Sequence, residues 1–370
     1  MTKVVAHITS VHNRKDRRIV SRQCSSIASS NYKVFLIVAD GRGDDFENNV
    51  EIIDIGKPQS RFERAFITSF KMYKACKYLD THIYHIHDPE LIFVGLLLKI
   101  RGKVVIFDMH ENVGAQILTK HWIPESIRPV ARLLYKFIEY FALSFYDAVV
   151  LAETCYEKLN IRCKKIVTIR NYPKVSEFIY EENKNWKTDN RHAVYVGGIE
   201  FSRGLEQMVN VAPLVKCKIV LAGPCDDVTI RKIGSNKNWN FVKYLGVIDK
   251  KMVADVLKSA IAGLVVLHPL ENYCETEPTK MLEYMASGIP VVASNFEVWR
   301  NIVEGLDCGI CVDPFDTNGI AEAIDFLVQN PDIAKRMGEN GRKAVLNKYN
   351  WANEEKKLLN FYSKIIEGSA

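Results

Sequence analysis

The sequence predicts an α/β protein built from two doubly wound, parallel-sheet domains in series. The chain has 370 residues, of which 48% are apolar, and this suits two cores of about 150–200 residues each. Short apolar runs alternate with stretches of helical period, a pattern that requires a parallel sheet covered by helices on both faces. A polar segment, 181–190, interrupts the alternation halfway. We therefore expect a first domain over 1–172, a linker over 173–192, a second domain over 193–350 and a closing helix over 351–370, long enough to pack back toward the first domain.

The strands of the first domain are predicted from apolar runs of four to six residues, and its helices from apolar residues that recur every three or four positions. The predicted strands are Val4–Ile8, Val34–Ala39, Ile52–Ile55, Ile83–His87, Val104–Phe107, Ala148–Leu151 and Ile166–Ile169. The predicted helices are Arg17–Ser29, Phe62–Leu79, Leu91–Arg101 and Ser126–Phe145.

The second domain repeats the alternation after the polar segment. Its predicted strands are Ala193–Val196, Lys218–Ala222, Phe241–Tyr244, Gly263–Leu267, Pro290–Ala293 and Gly309–Val312. Its predicted helices, with the closing one, are Gly204–Leu214, Lys251–Ser259, Thr279–Ser287, Gly319–Gln329, Pro331–Asn347 and Trp351–Ile366. Since ligands of open parallel sheets bind beyond the carboxyl ends of the strands, functional residues are expected in the loops that follow strands in both domains.

Charge and cysteine content exclude several classes of protein. The net charge of +6 is uneven: residues 1–180 carry 27 Lys and Arg against 19 Asp and Glu, whereas residues 181–370 carry 23 against 25. The basic half either faces an anionic surface or ligand or is an ordinary solvated surface. Nucleic acid is not an expected partner, because zinc-finger spacing, a basic tail and aromatics interleaved with arginine are all missing. The nine scattered cysteines indicate reduced thiols, and Cys308 and Cys311 lack a second ligand pair for zinc.

A membrane span is not predicted. The longest apolar run, Leu91–Leu98, is far shorter than the ~20 residues that a spanning helix needs, and no signal-like stretch opens the chain. We therefore expect a cytoplasmic protein that rests, through its basic first half, on anionic lipid of the inner membrane. The aromatic stripe on helix 62–79, taken alone, is better explained as core. The side chains considered for this surface are Arg61, Phe62, Arg64, Phe66, Phe70, Lys71, Tyr73, Lys74, Lys77, Trp122, Arg128, Arg132 and Lys136.

The strongest chemical pattern is the segment from Glu275 to Ser294. It follows a buried strand, and Pro278-Thr279 supplies the residues that start a helix, whose first amides form a phosphate site. Lys280 adds a cation to that site. Glu283 lies one turn further on, and a carboxylate there accepts hydrogen bonds from ribose hydroxyls.

The segment also carries a family resemblance. Glu275 and Glu283 are separated by seven residues and precede Gly-Ile-Pro-Val-Val, and this pattern resembles the Glu-x7-Glu signature of glycosyltransferase family 4. The resemblance extends over almost the whole chain. It implies the GT-B fold, two Rossmann-like domains that face a cleft, and transfer of a hexose or amino-hexose, with retention, from a nucleotide diphosphate sugar (UDP favoured) to a glycan or lipid-linked acceptor.

Further loops of the second domain resemble the family's donor site. The Val-Gly-Gly turn at Gly198 replaces the family's usual Val-Gly-Arg, so Arg203 is predicted to meet the donor phosphates. Thr279 is assigned to the helix start, and Glu275 to orienting the donor sugar. The loops at Gly223 and at Tyr244 and Gly246 resemble those that surround the nucleotide.

In the first domain, two strand ends resemble a bacterial subgroup that builds lipopolysaccharide and capsule chains. His110 matches the family histidine near the anomeric centre, where it is expected to donate a hydrogen bond. Asp88 and Glu111 follow the same strands and are assigned to the acceptor side. His85 and His87 share one strand face but lack partners at metal-ligand spacing, so they are interpreted as structural.

The loop before the first helix offers Asp16 and Arg18 as ligands for acceptor hydroxyls or phosphate, with helix capping by Asp16 an equal alternative. The resemblance implies catalysis without a metal cofactor, in which Arg203, Lys280 and helix amides meet the charge of the leaving diphosphate. Two other classes stay open: a nucleotide-sugar epimerase or hydrolase of the same shape, and a non-catalytic nucleotide-sugar binder.

Overall fold

The computed structural model describes residues 3–79, 81–119, 123–178, 186 and 191–367. The chain divides into two units, the first made of Met1–Asn171 with Ala352–Ala370 and the second of Tyr172–Trp351. The segment 173–192, interpreted from sequence as a linker, falls in the second unit. Trp186 within it is buried in the core of that unit, so the linker interpretation is wrong at this residue.

The first unit contains an eight-stranded sheet with the order β3-β4-β2-β1-β5-β6-β7-β8. All neighbours are parallel except β3, which runs antiparallel to β4. The central strands are buried on both faces, which is why they read as continuous apolar runs. The strands are β1 Lys3–Ile8, β2 Tyr32–Val38, β3 Asp45–Glu47, β4 Val50–Asp54, β5 Ile83–Ile86, β6 Val104–Met109, β7 Ala148–Leu151 and β8 Ile166–Thr168.

Helices cover this sheet. Two of the predicted helices begin with π-helical turns, Arg17–Cys24 and Glu63–Thr68. The α-helices of the first unit are Ser25–Ala28, Ser69–Leu79, Ile92–Ile100, Val113–Thr119 and Arg128–Leu143. The closing helix, Trp351–Glu367, belongs to this unit from Ala352 onward, and its Tyr362 is fully buried there.

The second unit contains a six-stranded, all-parallel sheet with the order β11-β10-β9-β12-β13-β14. The strands are β9 His192–Val196, β10 Lys218–Ala222, β11 Val242–Tyr244, β12 Ala260–Val265, β13 Val291–Ser294 and β14 Gly309–Val312. Its α-helices are Leu205–Val211, Asp227–Gly234, Lys250–Lys258, Glu271–Cys274, Thr279–Ala286, Glu297–Val303, Thr317–Gln329 and Pro331–Asn347. Both doubly wound sheets were predicted.

One prediction about the surface is wrong. The aromatic stripe on the helix that begins near residue 62 was expected in the core, yet Phe62, Phe66 and Phe70 are 68%, 64% and 58% exposed. Met72 and Cys76 are the residues of this helix that are buried in the core. The helical period was correct, but two stripes of the same helix are apolar, and periodicity alone does not say which of them faces the sheet.

Candidate functional site

The loops that follow β9, β10 and β11 meet at the carboxyl edge of the second sheet. The Gly197 amide donates to the Ala222 carbonyl (2.8 Å) and the Gly223 amide to the Gly246 carbonyl (2.7 Å). Gly223 has φ +140°, and a Cβ there would lie 1.9 Å from the Gly197 oxygen. The Tyr244 hydroxyl donates to the Gly223 carbonyl at 3.0 Å. Glycine is therefore required at 223 for the backbones to approach this closely.

Arg203 stands beside the turn after β9. A Cβ added to Gly198 would lie 3.3 Å from Arg203 Nη1, and the Tyr195 hydroxyl donates to the Gly198 carbonyl at 2.8 Å. Arg203 Nη2 lies 3.8 Å from Glu200 Oε1. Its Nε is buried and has no hydrogen-bond partner among the described residues. An unpaired guanidinium donor beside a glycine turn is suited to an anionic ligand.

The helix Thr279–Ala286 begins next to the same turn. Lys280 Nζ pairs with Glu283 Oε2 at 2.7 Å, and Lys280 Cε would lie 3.3 Å from a Cβ at Gly197. Pro278 precedes Thr279, so the amides of the first turn lack partners within the helix. The structure therefore brings the predicted phosphate cations, Arg203 and Lys280, to the two glycines of one turn.

Tight packing fixes the position of this helix. A Cβ at Gly263 in β12 would lie 2.3 Å from the Tyr284 ring, so the helix can approach the sheet only because residue 263 is glycine. The Tyr284 hydroxyl then accepts the Val196 amide at 2.9 Å, at the end of β9. This contact ties the helix to the strand whose turn carries Gly197 and Gly198.

Glu275 lies on the exposed loop before that helix, at the end of the short helix Glu271–Cys274. Its neighbours anchor the loop. Trp299 Nε1 donates to the Thr276 carbonyl at 2.7 Å, and the Tyr172 hydroxyl donates to Glu277 Oε2 at 2.7 Å. The loop is thus fixed at the two residues that directly follow Glu275, and Glu275 itself is exposed.

In the first unit, His110 follows β6 and faces His12 on the loop after β1. The two Nε2 atoms are 3.0 Å apart, and His110 Nδ1 lies 3.2 Å from the Asp108 carbonyl oxygen. His12 Nδ1 lies 3.2 Å from Asp16 Oδ2, and His12 Nε2 lies 3.4 Å from Asp88 Oδ1. His12 was not predicted as a site residue, because nothing in the loop sequence shows that it would meet His110.

These contacts assign the protons. Burial works to lower the pKa of His12, but the hydrogen bond to Asp16 and the charges of Asp16 and Asp88 raise it overall. Burial lowers the pKa of His110. These opposite directions favour His12 as the donor in its contact with His110 Nε2, and in that arrangement His110 Nδ1 donates to the Asp108 carbonyl. In this state His110 Nε2 accepts, so the predicted donation to substrate requires that the proton move from His12 to His110.

Arg18 is not available as an acceptor ligand, and this prediction is corrected. Its side chain is 6% exposed, its Nε and Nη2 donate to the two oxygens of Asp108 (2.9 and 2.6 Å), and its Nη1 donates to the Ile169 carbonyl (2.9 Å). Asp108 also accepts from Gln23 Nε2 at 3.0 Å. Burial works to raise the pKa of Asp108, yet the Arg18 charge and a His87 hydrogen bond hold it well below its usual range.

Asp88 is likewise a scaffold residue and not an acceptor ligand. It is 1% exposed, and its Oδ2 accepts the Thr9 hydroxyl (2.7 Å) and the amides of Ser10 (2.5 Å) and Val11 (3.1 Å). This arrangement holds the loop that carries His12. Glu111, the remaining acceptor-side candidate after β6, is exposed.

Asp16 caps the first helix. Its Oδ1 accepts the Ile19 amide at 2.9 Å, which confirms the capping alternative. Its second carboxylate oxygen is the one that faces His12, so capping and organisation of the site are combined in a single side chain.

The buried histidines of β1 and β5 have structural partners. His7 Nδ1 lies 2.8 Å from His87 Nε2, His87 Nδ1 lies 3.0 Å from Asp108 Oδ2, and His85 Nδ1 lies 2.7 Å from the Tyr362 hydroxyl. Three groups approach closely enough to share a metal ion, although these hydrogen bonds already account for most of their nitrogens. The groups are His7–His85–His87, His12–Asp88–His110 and His87–Asp108–His110.

Comparison with solved structures defines the class of fold. The chain matches sucrose-phosphate synthase from Thermosynechococcus elongatus over 99% of its length and 100% of that chain, with a TM-score of 0.81 at 19% identity. HepE of Anabaena, solved with UDP and glucose, matches over 98% and 100% with a TM-score of 0.72 at 12% identity. The lipopolysaccharide glycosyltransferase WaaG matches over 96% and 98% with a TM-score of 0.69 at 13% identity. The chain has the GT-B fold, as predicted.

The family comparison is narrower. Residues 177–344 match the family model described as Glycosyl transferases group 1, and this range contains every predicted donor-site residue. This match, over less than half of the chain, supports the predicted enzyme class, a glycosyltransferase.

The first curated relatives match about half of the chain. An uncharacterized glycosyltransferase of Methanocaldococcus jannaschii is 27% identical over 188 residues, 48% of this chain and 46% of its own. The alpha-D-kanosaminyltransferase of Streptomyces kanamyceticus is 26% identical over 193 residues, 50% of this chain and 49% of its own. The chain spans about half the length of these relatives.

Proposed function

We propose that the protein is a retaining glycosyltransferase that moves a hexose or amino-hexose from a nucleotide diphosphate sugar to a glycan or lipid-linked acceptor of bacterial surface polysaccharide. One observation carries the proposal: Arg203 and the Lys280–Glu283 pair lie against the Gly197-Gly198 turn at the carboxyl edge of the second sheet. This is the edge where α/β sheets bind their ligands.

The unsatisfied groups of this edge fit a diphosphate. Arg203 Nε has no partner among the described residues, and the first-turn amides after Pro278 form a positive helix end. Glu283 lies one turn further along the helix, beside Lys280. We expect the diphosphate to take over Lys280, so that the Glu283 carboxylate accepts hydroxyls of the ribose.

The proposed reaction needs stabilisation of charge more than a protein base. The bond between the anomeric carbon and the diphosphate oxygen breaks, a bond to the acceptor oxygen forms on the same face, and the acceptor proton passes to the departing phosphate oxygen. Arg203, Lys280 and the helix amides stabilise the charge that develops on the diphosphate, so no metal ion is required. Glu275 is proposed to orient the donor sugar, and His110 is the proposed hydrogen-bond donor of the first unit.

UDP is the favoured nucleotide. HepE, which shares the fold, was solved in complexes with UDP and with UDP-glucose. Isothermal titration calorimetry against UDP-, GDP- and ADP-sugars tests this preference. We expect binding to one nucleotide in the presence of EDTA, and at least a tenfold loss of affinity in Glu283→Ala. Glu339→Ala, an exposed glutamate on the helix Pro331–Asn347, is the matched control and keeps wild-type affinity. Equal affinity in Glu283→Ala and wild type contradicts the assignment.

Turnover separates transfer from the other two classes. With the preferred donor alone, a hydrolase releases free sugar and nucleotide, and an epimerase changes the sugar while the nucleotide stays attached. A transferase releases nucleotide in proportion to added acceptor, and a non-catalytic binder releases none. We expect acceptor-dependent release of nucleotide.

The acceptor is proposed to be presented at a membrane, because the first unit exposes apolar and basic side chains together. Leu133 and Phe137 on the helix Arg128–Leu143 are 71% and 67% exposed, and Ile100 at the end of the adjoining helix is 82% exposed. Lys71 and Lys74 are exposed on the third helix of this group. Trp122, also predicted for this surface, lies outside the described residues. Exposed aromatic and basic side chains together favour an anionic bilayer surface.

Within the described ranges, no helix combines the length and the apolar character that a transmembrane span requires. Co-sedimentation with vesicles of phosphatidylglycerol and phosphatidylcholine tests the surface. We expect binding at low salt that falls at least fivefold in Leu133→Ser/Phe137→Ser. Val247→Ser, at a 76% exposed position of the second unit, is the control and binds like wild type. No binding of the wild-type protein, or an equal loss in the control, contradicts membrane docking.

A further inference from the structure

A basic pocket in the second unit extends from the amino ends of β9 and β10 along β11 to Leu245, the residue after that strand. It has a volume of about 610 Å³, and Arg191 and Lys218 line its end at the start of β9 and β10. This volume is within the range of sites that hold small organic ligands.

The lining of this pocket is positive. Arg191, Lys216, Lys218 and Lys243 line it, and none of the described lining residues is acidic. His192 is engaged already, since its Nε2 lies 3.0 Å from the Val256 carbonyl oxygen. Four cations converging on one concave surface repel one another, and an anionic ligand would relieve that repulsion.

The buried guanidinium group of Arg191 indicates that this pocket binds an anion. The residue is only 8% exposed, and its Nε and Nη1 are buried with no hydrogen-bond partner among the described residues. Its guanidinium lies over the Trp186 ring, 4.9 Å from the centroid. Burial lowers the pKa of Arg191 to about 10, so the group remains charged at neutral pH. An unpaired buried charge is costly, and a ligand that pairs with it recovers that cost.

We propose that this pocket binds a small phosphorylated metabolite, with the phosphate on Arg191 and the neighbouring lysines and the rest of the molecule against the apolar wall. Val215, Leu245 and Val256 form that wall. Arginine with adjacent lysines is the combination that recognises phosphate oxygens in a fork geometry. The proposed phosphate end is separate from the donor edge, because Arg191 precedes β9 and Lys218 begins β10, whereas Gly197 and Gly223 follow the carboxyl ends of those strands.

Substitution of Arg191 is expected to raise the melting temperature of the ligand-free protein. Because Arg191 is buried without a partner, Arg191→Met raises the melting temperature of the ligand-free protein by a few degrees and abolishes stabilisation by phosphate compounds. An arginine with a merely structural role would show the opposite, a loss of stability on substitution. Arg336→Gln, at a 59% exposed side chain on the helix Pro331–Asn347, is the control and changes neither property.

Calorimetric titration with glucose 6-phosphate, inorganic phosphate and neutral glucose tests the site directly. The titrations use an Arg203→Gln background, so that the proposed donor site does not contribute. We expect saturable binding of glucose 6-phosphate, weaker binding of phosphate and none of glucose, with a tenfold or greater loss in Arg191→Gln. Lys218→Gln/Lys243→Gln, at two exposed positions, gives a second test should the arginine variant fail to fold.

The expected outcome is that glucose 6-phosphate still binds to Arg203→Gln. Binding is lost when Arg191→Gln or Lys218→Gln/Lys243→Gln is added to that background. Absence of saturable phosphate-ester binding to the folded protein overturns the proposal. The proposal is also overturned if Arg191→Gln and the double lysine variant both bind glucose 6-phosphate as tightly as the parent Arg203→Gln protein does. Since the donor background is already disabled, failure of the proposed transferase activity leaves both results unchanged.

Discussion

Charged side chains follow the strand ends of both units, but they differ in how completely they are paired. In the first unit, Arg18 and Asp108 are buried, and the guanidinium has three hydrogen bonds from Nε, Nη1 and Nη2. In the second unit, Arg203 keeps a buried Nε without a partner among the described residues, and Lys280 is bound to Glu283 on the same helix.

This difference separates scaffold from binding residues. A charge with every donor satisfied by protein has nothing left to offer a ligand, and its removal leaves buried partners unpaired. A charge with an unused donor at a sheet edge is available for a ligand. By this criterion Arg18 is a scaffold residue, whereas Arg203 keeps a donor for the proposed ligand.

The largest effect is expected at Asp108. Asp108→Asn removes the negative charge that balances Arg18 and leaves a buried cation unpaired, for a loss of about 3–5 kcal/mol of stability. Hydrogen exchange of first-unit amides against denaturant measures the loss where it occurs. Asp255→Asn, at an exposed aspartate of the helix Lys250–Lys258, is the control and stays within about 0.5 kcal/mol of wild type. A comparable effect in both variants would place Asp108 outside the scaffold.

The two arginines are expected to separate stability from affinity. Arg203→Gln weakens binding of the preferred nucleotide sugar by about 10–100-fold, or about 1.4–2.8 kcal/mol, and leaves the melting temperature nearly unchanged. Arg18→Gln has the reverse profile, with a large loss of stability and an affinity within about twofold of wild type. Calorimetry measures the nucleotide-sugar affinity of both variants, and thermal unfolding measures their stability. If Arg18→Gln lost affinity without losing stability, Arg18 would be a ligand-binding residue, as the sequence predicted.

Gly263 tests whether packing positions the donor edge. A Cβ at this position would lie 2.3 Å from the Tyr284 ring, so Gly263→Ala displaces the helix that carries Lys280 and costs about 1–3 kcal/mol. We expect donor affinity to fall with stability. Gly234→Ala is the control, since no atom lies within 4 Å of a Cβ there, and it leaves stability unchanged or raises it by up to about 1 kcal/mol.

The sequence predicted the two sheets well because parallel strands buried on both faces read as apolar runs. It missed the helices Val113–Thr119, Asp227–Gly234, Glu271–Cys274 and Glu297–Val303. It also missed the edge strand β3, which is exposed along its length. Asp227–Gly234 and β3 are mostly exposed and carry a weak hydrophobic signal, whereas Val113–Thr119 and Glu297–Val303 are seven residues long and too short to show a clear period. The exposed stripe of Phe62, Phe66 and Phe70 was misplaced because amphipathic period does not identify which of two apolar faces packs inward.

At the candidate sites, local motifs were predictable and long-range partners were not. The Gly197-Gly198 turn and the helix of Lys280 and Glu283 are contiguous segments, so their chemistry is visible in the sequence. The contact of His12 with His110 spans 98 positions, and the Asp108 contact with Arg18 spans 90. Whether the hydrogen-bond donors and acceptors of these side chains are all paired depends on the register of the strands, which no local pattern specifies. For this reason Arg18 and Asp88, which are scaffold residues, were predicted from the sequence to bind a ligand.

The smallest predicted effect concerns the pH dependence of Asp16. Burial works to raise its pKa, but the His12 hydrogen bond and the Ile19 amide lower it from 3.8 to about 2. A carboxyl whose folded pKa is depressed contributes stability that is present above its unfolded pKa and is lost as pH falls from about 4 to about 2. That contribution is at most about 2 kcal/mol at neutral pH.

Asp16→Asn isolates this contribution, because asparagine caps a helix as well as aspartate does and only the charge beside His12 is removed. We expect the variant to be less stable than wild type at pH 7, and the gap to close as pH falls through 4 toward 2. Urea unfolding across this range measures the gap. Asp249→Asn makes the same exchange at the cap of the helix Lys250–Lys258, where the carboxylate accepts the Met252 amide, and should show no such convergence. A pH-independent gap at Asp16 would mean that the residue acts only as a cap, and that His12 holds its proton through Asp88 instead.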